Sequence, residues 1–189
     1  MKRLSWANSL FLVIALLLCL CACRSTSGTD HDQIVRTAID LAETYRSQGR
    51  FEKAVEVYDR ALTQADDYRL YYNKALALAD LGLYADAAQL CAESFERYPY
   101  VMAFKKAQAK ILDVAGNKEG YFAVCLEMLE LNPYDFDTRS ELMEAYSEAD
   151  MGQEAYDQAL ILWTQGYMLD GVHQYLVKYN PEYWGNISI

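Results

Sequence analysis

Apolar residues recur along this chain at steps of three and four, broken by short polar turns. Ile34, Ala38, Leu41, Ala42 and Tyr45 share one face of a first helix. Asp30, with Gln33 three residues on, forms a capping-box-like start to it. Gly49 ends it, as glycine does where a helix C-terminus turns left-handed. Phe51, Ala54, Val55, Tyr58, Ala61 and Leu62 make the apolar face of a second helix, and Asp66-Asp67 is the turn out. From Tyr68 to Pro99 the pattern repeats: a helix, a turn at Leu81-Gly82-Leu83, a second helix and a stop at Pro99. Ala75 and Ala87 put small side chains where two antiparallel helices must come close.

Four independent columns keep one period of 33 or 34 residues. The small residue of the first helix is Ala42, Ala75, Ala109 and then Met143. The turn glycine is Gly49, Gly82, Gly116 and then Asp150. The second-helix site is Ala54, Ala87, Tyr121 and Ala155, and the terminating site is Asp66, Pro99, Pro133 and Tyr167. A fixed period of this length marks stacked supersecondary units. The pattern resembles the tetratricopeptide repeat. The first unit carries it in Leu41-Ala42, Tyr45, Gly49, Ala54, Tyr58 and Ala61, and the second in Tyr71, Ala75, Leu78, Gly82, Tyr84, Ala87 and Pro99. The third keeps Ala109, Gly116 and Leu131-Asn132-Pro133; the fourth keeps Leu142, Tyr146 and Ala155. The resemblance implies an all-α fold: a right-handed α-solenoid of three to four helical hairpins plus a C-terminal capping helix.

Units are expected at about residues 35–67, 68–101, 102–135 and 136–168, with a cap at 169–180 and a tail at 181–189. Two departures stand out. Tyr121 replaces a second-helix alanine, so the third hairpin must open or turn that ring outward. The fourth unit lacks the turn glycine and the final proline, so its second helix, about Gly152 to Gln165, could run on or pack differently. A helix from about Val172 to Tyr179 ends before Pro181 and is read as the cap, with Trp163 and Trp184 covering the open end.

The N-terminus is of another kind. Lys2 and Arg3 precede an apolar run from Leu10 to Leu20, long enough for a signal peptide and short for a spanning helix. Leu20-Cys21-Ala22-Cys23 resembles a bacterial lipobox. That resemblance implies a signal peptide at 1–22, lipidation at Cys23 and a polar tether over 23–31. An uncleaved anchor, or a signal cut by ordinary signal peptidase, are the rival readings. The expected location is the bacterial cell envelope, lipid-anchored to inner or outer membrane, with the domain facing the periplasm.

Charge narrows the partners. The chain has 27 acidic and 17 basic residues, a net charge of −10. That disfavours nucleic acid, whose affinity comes from Lys and Arg, and broad adsorption to anionic lipid. No phosphate loop, nucleophile elbow or HExxH occurs, and the two histidines are His31 and His173. The reading is therefore non-catalytic, without cofactor or metal. Cys91 and Cys125 occupy equivalent second-helix sites and read as small buried apolar residues.

In tetratricopeptide arrays the first helices line a concave groove. Carried over by spacing, that wall takes Arg36, Ile39 and Glu43 from the first unit, and Arg69, Tyr72, Asn73 and Leu76 from the second. Lys106, Lys110 and Asp113 follow from the third, and Asp137, Ser140 and Glu144 from the fourth. Arg69, Lys106 and Lys110 are expected to form a basic centre beside Tyr72, Asn73 and Leu76, suited to an apolar segment bearing an acidic group. The function expected is a membrane-anchored scaffold or adaptor for a protein or peptide partner in envelope assembly. The alternative is a carrier or receptor of a small hydrophobic ligand in the groove.

Overall fold

A computed structural model describes residues 30–185; the expected signal peptide, Cys23 and most of the tether lie outside them. The regular secondary structure of the described residues is all α-helical, with no strand among them. The chain divides into two compact units after Val101. The first holds α1 (residues 30–47), α2 (Phe51–Leu62), α3 (Tyr68–Asp80) and α4 (Tyr84–Arg97). The second holds α5 (Ala103–Val114), α6 (Lys118–Leu131), α7 (Phe136–Glu148), α8 (Gly152–Thr164), α9 (Asp170–Tyr179) and α10 (Pro181–Trp184). Each unit carries two helical hairpins, so the fold class is the one the repeat implies.

The hairpin bends share one hydrogen-bond pattern. The N–H groups of Arg50, Leu83, Asn117 and Met151 donate to the carbonyls of Tyr45, Leu78, Leu112 and Tyr146, at 2.9 to 3.0 Å. Each is the long bond of a Schellman motif, which satisfies a helix-terminal carbonyl. The residue before each donor is left-handed: Gly49 (φ 69°), Gly82 (φ 76°), Gly116 (φ 73°) and Asp150 (φ 58°). The fourth unit therefore makes the same bend without the glycine. Asp150 takes a conformation that costs most L-residues about 1 kcal/mol and that Asp tolerates better than most. The second helix of that unit neither runs on nor strays: α8 stops at Thr164 and packs back along α7.

In the first unit, Val35, Ala42, Ala54, Tyr58, Leu70 and Ala77 are fully buried and pack together. Removing a ring or branched side chain of this kind from water contributes roughly 1.5–3 kcal/mol. Alanines at the helix crossings let the larger side chains interlock. Leu41, on the expected apolar face, is 44% exposed, because among the described residues no earlier hairpin covers that side of α1.

The second unit has two apolar clusters. Tyr121, Phe122, Cys125, Met128, Leu142 and Tyr146 join α6 to α7. Met143, Ala159, Leu162, Val172, Leu176 and Trp184 join α7, α8, α9 and α10. Trp184 is buried, lies 5.6 Å from the Trp163 ring and donates its indole N–H to Tyr156. The cap thus reaches Trp184, past residue 180, because this ring closes the apolar end. Gly152 has its own reason: a Cβ there would lie 2.9 Å from the Tyr179 ring.

Candidate functional site

α7 has two unlike faces. Leu142, Met143, Ala145 and Tyr146 are buried on one. On the other, Asp137, Glu141, Glu144 and Glu148 recur at steps of four, three and four, so they form a single stripe, and all four are exposed. Asp135 starts the helix by accepting the Thr138 N–H at 3.2 Å, which fixes the first turn and the direction of the stripe.

Across from this stripe stands α5 with Lys106, Lys110 and Asp113, again at helical spacing. Between the two walls lies a groove of about 510 Å³. Ala109, Tyr121, Cys125, Met128 and Ala145 provide its small and apolar lining. Tyr121 is 8% exposed; the ring replacing the repeat alanine neither turns to solvent nor unpacks the hairpin, but fills the floor. A lysine at the start of α6, Lys118, closes one end and reaches Asp113 at 2.8 Å.

The electrostatics differ between the walls. Asp113 accepts from Lys118 and pairs with Lys110 at 3.4 Å, and these lysines hold its carboxyl below the usual carboxylate range. Among the described residues, no ion pair or side-chain hydrogen bond engages Asp137, Glu141, Glu144 or Glu148. Burial raises the Tyr121 hydroxyl well above its ordinary value and pushes the Cys125 thiol up to about 11. The floor is therefore uncharged at neutral pH, under one wall of free carboxylates and one that begins with lysines. Among the described residues, no group of three or more His, Cys, Asp or Glu is placed to hold a metal ion.

The other expected groove residues fall as follows. Arg69, Tyr72, Asn73 and Leu76 sit on α3 in the first unit, while Lys106 and Lys110 line the groove of the second. Arg69 is already committed. Its guanidinium donates to both carboxylate oxygens of Asp67 at 2.9 Å and to Asp32 at 3.0 Å, clasping the start of α3 to that of α1. Hydrogen bonds from Arg69 hold the Asp67 carboxyl at about 2. Asn73 turns its amide back to the Arg69 carbonyl at 2.8 Å. Tyr72 and Leu76 are half-buried. In the first-unit wall, Arg36 pairs with Asp32, and Glu43 pairs with Arg46, which also binds Asp80.

Sequence spacing placed Asp137 and Glu144 on the wall but passed over Glu141 and Glu148, and missed Tyr121, Cys125 and Met128 as floor. The four-three-four run of carboxylates was legible along α7. That all four stay unpaired above an apolar floor follows only from the packing of three helices.

A tetratricopeptide repeat family model matches residues 39–101. No curated protein matches the chain. Among solved structures, the chain is similar to MamA from residue 41 onward, from Desulfovibrio magneticus RS-1. That pair is 16% identical over 79% of this chain and 85% of that one, with a TM-score of 0.56. It is also similar to a tetratricopeptide repeat protein from Parabacteroides merdae, 14% identical over 80% of this chain and 62% of that one, with a TM-score of 0.61. MamA of strain AMB-1 is 16% identical, over 84% of this chain and 96% of that one, with a TM-score of 0.55. At these identities the likeness is one of fold.

Proposed function

We propose that this chain is a non-catalytic adaptor of the bacterial cell envelope. It is held to a membrane by lipid at Cys23 and presents the groove between α5 and α7 to a polypeptide partner. The groove carries the reading. It is concave, has an apolar floor and is walled by charged side chains, of which the α7 carboxylates make no salt bridge among the described residues. Such a surface suits recognition of a segment by shape and charge. The tetratricopeptide-like hairpins supply a rigid frame for it.

Anchoring is supported by the basic start, the short apolar run and the Leu20–Cys23 motif. Among the described residues, no helix is long and apolar enough to cross a membrane. Attachment would then rest on the N-terminal segment. Two or more acyl chains hold a protein stably where one does not. The carrier alternative is weaker on physical grounds. The space between α8 and α9 is filled by Leu162, Val172, Leu176 and Trp184, and the groove walls are charged.

The test is photocrosslinking in intact cells from benzoylphenylalanine at Lys110 or at Glu144, with Glu130 on the exposed side of α6 as control. One and the same polypeptide captured from both groove positions, and absent at Glu130, is expected. Capture that is equal at all three positions overturns the assignment.

A further inference from the structure

The groove's two walls specify what kind of segment it takes. We propose that the partner segment is an amphipathic helix with a basic flank: apolar residues on the floor, and Lys or Arg at steps of four, three and four facing α7. This rests on the groove being the binding surface and adds the chemistry of its ligand.

At about 1.5 Å rise per residue, Asp137, Glu141, Glu144 and Glu148 stand about 6, 4.5 and 6 Å apart along α7, about 16 Å in all. A helix lying alongside repeats its own side chains at the same intervals, so four cations can meet four carboxylates in register. An extended strand repeats one face every ~6.6 Å, and by the fourth position it has drifted by about 3 Å. The helix is therefore the form that meets the whole stripe.

Sign comes next. These four carboxylates are exposed and, among the described residues, make no salt bridge or hydrogen bond; Lys118 is near enough to Glu148 to offset part of its charge, and the repulsion among the other three is left to solvent or a ligand. Cations delivered together at that spacing gain from all four at once, and the protein pays no desolvation of a pre-existing ion pair. The opposite wall begins with Lys106 and Lys110, which favours an acidic or neutral far flank. Opposite signs on the two walls also fix which way round the helix lies. The floor of Tyr121 and Met128 supplies the apolar contact that a purely ionic site would lack.

A second copy of this chain does not meet the requirement. No described helix of it carries four Lys or Arg at that spacing, and the chain is strongly acidic overall. The basic centre expected from Arg69, Lys106 and Lys110 would have selected the reverse charge. Arg69 is occupied by Asp67 and Asp32, Lys110 is paired with Asp113, and the α7 wall of the groove presents four carboxylates that make no salt bridge among the described residues.

The test uses the chain lacking residues 1–22 and three stapled helical peptides, read by fluorescence anisotropy at 50 and 300 mM salt. They share one leucine stripe and carry Lys, Gln or Glu at the four flank positions. The Lys peptide is expected to bind at least tenfold more tightly than the Glu peptide at low salt, with the gap narrowing at high salt. Glu141→Gln with Glu144→Gln should weaken the Lys peptide about tenfold. Glu141→Lys with Glu144→Lys should transfer the preference to the Glu peptide. These exposed positions leave the fold intact, which circular dichroism checks. If all three peptides bind alike, the groove reading survives and the basic partner is wrong. If the Glu peptide binds best, the basic partner is equally wrong. If none binds, both fall.

Discussion

Arg69 shows how a residue read as a ligand contact can serve the fold. Its paired carboxylate, Asp67, is lowered from 3.8 to about 2 by hydrogen bonds from Arg69. A carboxyl whose folded value is depressed contributes stability above its unfolded value and loses it as pH falls through the folded one. The clasp therefore acts at neutral pH and fades between roughly pH 4 and pH 2. Part of the Arg69 side chain is in water, so its worth is discounted to about 1 kcal/mol. Arg69→Met should lower the melting temperature at pH 7 by a few degrees. The gap to the parent protein should shrink as pH is taken down to 2; melts across that range decide it. Tyr58 carries the opposite expectation. Its ring is fully buried, and its hydroxyl has no hydrogen-bond partner among the described residues. An unmet buried hydroxyl costs about 1–3 kcal/mol, so Tyr58→Phe should leave stability unchanged or raise it, measured by chemical denaturation.

Elements are set by the bends between them. Gly116 sits at φ 73° with nothing within 4 Å of a built Cβ, so a side chain there meets backbone strain and no clash. Gly116→Ala should cost about 1 kcal/mol. At the equivalent bend Asp150 already bears that strain, so Asp150→Gly should not destabilise and should gain up to about 1 kcal/mol. Equal losses at both positions would mean that the two bends are not equivalent. The bends were legible as a column of glycines at one period. Asp150 falls in the same column, but that it makes the same bend was not legible, because an aspartate in the left-handed region looks in sequence like any polar turn residue. The Tyr121 ring was legible as an exception, but not its fate. Whether a large ring in a small-residue column turns out or forms a floor depends on how far apart the neighbouring helices lie.

For the whole molecule, the proposed attachment through the N-terminal segment can be tested apart from the groove. If lipid at Cys23 is the attachment, Cys23→Ala should abolish fatty-acid incorporation and release the protein from the membrane fraction, while helix content stays the same. Labelling with a palmitate analogue, followed by fractionation, reads both. Retention of the unlabelled variant in the membrane would sink the anchor and leave the groove untouched.

The periodic alternation of apolar and polar residues, with glycines at fixed intervals, was enough to determine helical hairpins. Backbone conformation and amphipathic faces are local properties, and local properties are written along the chain. Which charges remain available to a partner is not local. Arg69 and Glu141 look alike in sequence as exposed helical charges. Asp67, two residues before Arg69, takes two bonds from its side chain, and the approach of α1 to α3 adds Asp32; among the described residues, the packing of α5, α6 and α7 brings no cation into a salt bridge with Glu141.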